Sequence, residues 1–175
     1  MILAYATRLA EEAKAELAPY CARIEIAGSI RRKKPEPNDI ELVCIPDSPR
    51  LYDFANIIHR WPKIKGLPTG KYTQRVYHGQ KLDLFICQPK TWACVYTIRT
   101  GSVDFSHGLA IRARQVGLCF KNGQLWHLTP KDPTELFSLE GIREEADVFR
   151  ALKIKWVEPE LRRDTRDIEV SNDPD

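Results

Sequence analysis

The sequence predicts an α+β fold in two parts, a larger one over residues 1–90 and a smaller α/β one over 91–162. Three observations predict it. Apolar residues recur at helical spacing near the start, short alternating strands punctuated by glycine follow, and past residue 90 the pattern changes to two successive helices and a hairpin. Beyond Leu161 the chain is charged and nearly free of large apolar residues, so 163–175 is expected to form a disordered tail.

Each element follows from its own residues. Ile2, Ala6, Leu9, Ala10, Ala13 and Leu17 share one helical face, Glu11, Glu12 and Lys14 lie opposite, and Pro19 stops the helix. Ile24 and Ile26 alternate in a short strand that runs into Gly28-Ser29, and a second strand covers 39–45. Residues 51–61 give another helical pattern between Pro49 and Pro62. Short strands then carry the chain to Cys87 past Gly66, Gly70 and Gly79, the last of them reading Lys81-Leu82-Asp83-Leu84-Phe85-Ile86. A helix over 89–99 is broken by Thr100-Gly101-Ser102 before a second, which carries Phe105, Leu109, Ala113 and Val116 and ends at Gly117. Alternation over 118–128 around Asn122-Gly123 is a hairpin signal. A turn-rich segment through Pro130 and Pro133 leads to a short last helix at 144–152.

The chemistry gathers around two stretches. In a strand, Asp39 and Glu41 leave the same face while Ile40, Leu42 and Cys44 point into the core. Two neighbouring carboxylates repel each other, and a divalent cation between them relieves the repulsion. Upstream, Gly28 allows close backbone approach, Ser29 offers a hydroxyl and an amide, and Arg31 and Arg32 supply forked donors suited to phosphate. Asp83 sits inside an apolar run with Leu82, Leu84 and Ile86 on the other face. If its strand lies beside the first carboxylate strand, it becomes the third acid of a cluster; a salt bridge to Lys81 or Arg75 is the structural alternative.

Composition bounds the class. A chain of 175 residues, 43% hydrophobic and 29% charged, suits a soluble globular protein with one or two cores. Its apolar runs fall well short of the roughly 20 residues that span a bilayer, and no secretory cleavage pattern follows Met1, so no membrane role is expected and the cytoplasm is the expected location. Cysteines at 21, 44, 87, 94 and 119 have no paired spacing and read as reduced packing residues. A net charge of +3 proves no nucleic-acid partner, but basic residues cluster at 31–34, 63–75 and 112–121, as a phosphate-tracking surface needs.

Gly28-Ser29 followed about a dozen residues later by Asp39-x-Glu41 in an apolar frame resembles the signature of the nucleotidyltransferase superfamily. Lys81-Leu82-Asp83, Thr100-Gly101-Ser102 with Phe105, Val116-Gly117, Asp147-Val148-Phe149 and the run from Trp156 to Arg162 narrow it. They look like the palm and thumb of family X DNA polymerases, the beta-type repair enzymes. The similarity runs in order from about residue 1 to 162, and the lyase domain and fingers of those enzymes have no counterpart in it, as in the stripped-down form that viruses carry.

The resemblance implies a nucleotidyltransferase palm over 1–90, a mixed sheet with helices on one face, and a thumb over 91–162. It implies nucleotide addition to a primer 3'-hydroxyl in gap filling or repair, with a nucleoside triphosphate and primer–template or gapped DNA as partners and a monomeric enzyme. By the same resemblance Asp39 and Glu41 are expected to bind two Mg2+ ions, with Mn2+ able to substitute, and Asp83 to hold the catalytic one. It likewise implies that Gly28, Ser29 and Arg32 take the triphosphate and that Thr100, Gly101 and Ser102 take the sugar and base. Several positions depart from the family. Glu41 stands where aspartate is usual, Asn38 replaces a glycine, Ile98-Arg99 replaces an aromatic pair, Ser106 an asparagine, and Ala110 an arginine for which Arg112 is a candidate substitute. The alternative function is a template-independent nucleotidyltransferase acting on RNA or another acceptor.

Overall fold

The computed structural model describes residues 1–128 and 136–171. Contacts divide the chain into two units, Met1–Pro89 and Lys90–Asp175, each with its own core. Among the described residues no helix is long and apolar enough to cross a membrane.

The first unit contains α1 (Leu3–Leu17), β1 (Cys21–Ile26), α2 (Gly28–Arg31), β2 (Ile40–Pro46), α3 (Leu51–Arg60), β3 (Lys63–Gly66), β4 (Tyr72–Tyr77) and β5 (Gln80–Ile86). The strands form one sheet in the order β1-β2-β5-β4-β3, with β2 and β5 parallel and the other neighbours antiparallel. The sheet is therefore mixed. The parallel pair requires a long crossover, which α3, β3 and β4 supply. Leu9, Ala13 and Leu17 of α1 and Phe54, Ile57 and Ile58 of α3 share one core with Ile40, Leu42, Cys44, Leu82 and Leu84. Burying a side chain of this size contributes about 1.5–3 kcal/mol. A polar seam secures α1: Glu16 accepts from Tyr77 Oη at 2.6 Å and from Trp61 Nε1 at 3.3 Å.

The second unit contains α4 (Pro89–Thr100), α5 (Val103–Gln115), the hairpin β6 (Leu118–Lys121) and β7 (Gln124–Leu128), β8 (Leu136–Ser138) and α6 (Glu145–Ala151). Asn122 and Gly123 take positive φ of 52° and 77°, the turn the sequence asks for. The strand β8 joins the hairpin as a third member, and the expected turns at Pro130 and Pro133 lie outside the described residues. Arg162 is fully buried, donates to Glu145 Oε1 at 2.6 Å and to Val157 O at 2.9 Å, and lies over the rings of Phe149 and Trp156.

Three expectations need correction. Residues 163–171 are folded: Thr165–Asp167 form a single helical turn capped by Asp164, and Val170 bridges Ile154, while 172–175 lie outside the described residues. Backbone and acid–amide bonds anchor this segment, so its lack of large apolar residues did not predict its state. Arg75, counted among surface basic residues, is buried and donates to Thr73 Oγ1 at 3.0 Å. Arg112 donates from Nε and one terminal nitrogen to the carbonyls of Leu152 and Lys153, so those donors are engaged within the unit and are not offered to a groove.

Candidate active site

The site grows from the parallel register of β2 and β5, which sets Glu41 opposite Asp83, Ile40 opposite Leu82 and Leu42 opposite Leu84. The four apolar residues are fully buried on one face, so alternation brings both carboxylates out on the other. Asp39 lies two residues before Glu41, immediately ahead of the strand.

Each acid has a local partner. Asp83 is only 8% exposed, and its Oδ1 accepts from Tyr72 Oη at 2.7 Å and Gln74 Nε2 at 2.5 Å, both from β4. Asp39 pairs with Lys81 Nζ at 3.1 Å, and that hydrogen bond and charge raise the Lys81 pKa above its ordinary value. Glu41 lies against Gly28, where a Cβ would fall on Glu41 Oε2 and within 2.5 Å of its Cδ. The Lys81 alternative read from the sequence is thus real but belongs to Asp39.

Among the described residues no three His, Cys, Asp or Glu side chains gather into a group able to hold a metal ion. The backbone brings the three positions side by side, but their side chains point to Lys81, to Gly28 and to Tyr72 with Gln74. Lys81 offsets the charge of Asp39, and Tyr72 and Gln74 donate to Asp83, which eases the repulsion between neighbouring acids.

The turn after β1 completes this corner. Ala27 N–H donates to Glu41 O at 2.9 Å, placing α2 at the mouth of β2, and Gly28 has φ +61°, a conformation costly for residues with a Cβ. Ser29 Oγ is buried with no hydrogen-bond partner, which leaves a polar atom to be satisfied by a ligand. Burial lowers the pKa of Arg32, while the charges of Glu41 and Asp39 act to raise it, so its guanidinium faces the same acidic corner.

In the second unit Thr100 is fully buried, and Gly101 and Ser102 make the turn between α4 and α5. Ser102 caps α5, its Oγ accepting from Phe105 N–H at 3.0 Å, and Ser106 Oγ donates to Ile98 O at 2.8 Å. A Cβ at Gly101 would stand 2.8 Å from both Phe105 Cδ1 and Ser106 Oγ.

Sequence reasoning missed Tyr72 and Gln74 as partners of Asp83, and offered Lys81 to Asp83 where it pairs with Asp39. Only Lys81 gave a signal, two residues before Asp83 on the same strand face.

Comparison with known proteins bears on the fold. Residues 96–163 match the family model of the DNA polymerase beta thumb. A crystal structure of Leishmania infantum polymerase beta, described as a ternary P/T complex, superposes with a TM-score of 0.67 at 18% identity, covering 93% of this chain and 76% of that one. No curated protein matches the chain. The chain therefore has the polymerase beta fold, and residues 96–163 of its second unit are similar to that family's thumb.

Proposed function

We infer that this chain, with the fold and thumb of polymerase beta, is a family X DNA polymerase that adds a nucleotide to a primer 3'-hydroxyl. The observation that carries the reading is the parallel register that sets Glu41 beside Asp83, with Asp39 two residues upstream and the unpartnered Ser29 hydroxyl at the same corner of the sheet. A ternary P/T complex among the structural relatives supports DNA as the partner.

Three carboxylates are hard oxygen donors of the kind that bind Mg2+ or Mn2+, so the residues fit the two ions that the family uses. Asp39 and Glu41 would hold both ions and Asp83 one of them. Two such ions lower the pKa of the attacking hydroxyl and neutralise charge on the phosphates. The remaining work falls to this chain. Lys81, 3.1 Å from Asp39, holds and orients a carboxylate that would serve a bound cation. Tyr72 and Gln74 fix one oxygen of Asp83 and thereby the direction of the other. Ser29 and Arg32 take the β- and γ-phosphates, the arginine as a forked donor and the serine by satisfying its buried hydroxyl. The Thr100–Ser102 turn takes the sugar and base. Positioning and charge stabilisation of this kind dominate phosphoryl transfer.

Primer extension with labelled nucleotide on gapped, nicked and single-stranded DNA and on RNA tests the reading. Templated addition on gapped DNA is expected. Equal, untemplated addition to single strands or RNA would establish the alternative acceptor chemistry, and no addition to any acceptor would overturn both.

A further inference from the structure

Residues 164–171 lie past the segment that matches the thumb family, yet they fold back along α5. At one end, Ser102 N–H donates to Arg162 O at 3.1 Å and Ser102 Oγ donates to Arg163 O. At the other, Lys155 N–H donates to Glu169 O at 2.8 Å, Ser171 N–H donates to Lys153 O at 3.0 Å, and Lys155 Nζ pairs with Glu169 at 2.9 Å. Between them the segment approaches α5 at Gly108, where a Cβ would stand 2.6 Å from Ile168 Cδ1 and 3.0 Å from Thr165 Cγ2. Glycine is a poor helix former, and here it sits where the segment comes closest. Arg112, one turn further along α5, donates to Leu152 O and Lys153 O, the stretch on which the segment ends. A single helix is thus tied near its start, middle and end.

The segment also holds its own shape. Asp167 Oδ2 accepts from the amides of Arg163 and Asp164, and Asp164 Oδ1 accepts from that of Arg166. Between it and α5 runs an open cleft of about 390 Å³ lined by Asp104, His107, Ile111 and residues 164–166.

We propose that residues 163–171 are a clasp that positions α5 and the Thr100–Ser102 turn at its start for nucleotide binding. What the turn binds rests on the functional reading above; the clasp itself does not. A turn whose serine amide and hydroxyl are already bonded to fixed carbonyls loses its freedom on folding instead of on binding, so less of the binding energy is spent on ordering it.

Full-length Ile168→Asp, which sets a charge against Gly108, tests this beside the conservative Ile168→Leu. Lys155→Glu, an exposed change facing Glu169, loosens the other end without touching the core. Amide exchange at Ser102, Phe105 and Ser106 and tryptic cleavage after Arg163 and Arg166 report the clasp. Nucleotide KM and kcat on gapped DNA report its consequence. Both loosening variants are expected to exchange and cleave faster and to raise nucleotide KM by about tenfold with kcat little changed, while Ile168→Leu behaves as the parent. Faster exchange and cleavage with an unchanged KM would reduce the segment to packing and overturn the positioning role. Unchanged exchange and cleavage would show that these contacts do not hold it. If the parent protein adds no nucleotide, the functional reading fails, and exchange and cleavage still decide whether the clasp holds the turn.

Discussion

Gly28→Ala perturbs the point where the phosphate-binding turn meets the carboxylate strand. Two costs combine. The backbone holds φ at +61°, where a Cβ costs about 1–2 kcal/mol. The new methyl would also fall on Glu41 Oε2, within 2.5 Å of Cδ and 3.1 Å of Cβ. The carboxylate can swing away, but Glu41 Cβ is fixed by the strand, so part of the strain stays. Together the loss should be about 1–3 kcal/mol, a fall in Tm of about 2–4 °C for each kcal/mol in a chain of this length. Gly79→Ala is the control, because Gly79 has φ +77° and nothing within 4 Å of an added Cβ. It should pay the backbone cost alone and keep its activity. Gly28→Ala should in addition lose about a hundredfold in nucleotide addition, because Glu41 is displaced from beside Asp83. Thermal unfolding and single-turnover incorporation of both variants decide the matter. Equal activity in the two would refute the claim that the Gly28–Glu41 contact sets the carboxylate.

Arg32→Ala should raise nucleotide KM far more than it weakens DNA binding, as measured by steady-state kinetics beside a DNA titration; equal losses would move Arg32 to the duplex. Asp147 is held below the usual carboxylate range by the amides of Glu144 and Arg143 and by Arg150. Its contribution to stability is therefore present above that range and lost as pH falls through the lowered value, so Asp147→Asn should reduce the acid sensitivity of urea unfolding. Sugar choice should be relaxed, because Ile98 packs into the thumb core and exposed Arg99 offers no rigid wall. The ratio of kcat/KM for a deoxynucleotide over its ribonucleotide on one gapped template should stay below about a thousandfold.

Much of this fold was legible because period alone encodes it. The i, i+3, i+4 pattern gave α1 and α3, and alternation of Ile40, Leu42 and Cys44 gave β2 with its acids on the outer face. The union of Asp83 with Glu41 was conditional, since strand order across the crossover of residues 47–79 is written in neither strand. The donors Tyr72 and Gln74 depend on that order too and became visible only with β4 in place. The four-residue α2 is too short to show a period. Arg75 reads as surface charge, because nothing local announces the Thr73 hydroxyl and Gly66 carbonyl that accept its protons. The clasp was missed for a related reason: most of its ties run through backbone atoms, and its core side chain, Ile168, packs where α5 has a glycine.

Asp83→Asn tests the central claim most directly. Asparagine keeps the side chain's shape and an oxygen able to accept from Tyr72 and Gln74, so the fold should survive with stability changed by no more than about 1 kcal/mol. Loss of the charge should lower single-nucleotide incorporation on gapped DNA by about a thousandfold or more. A folded Asp83→Asn variant that extends the primer at a near-parental rate would contradict the account.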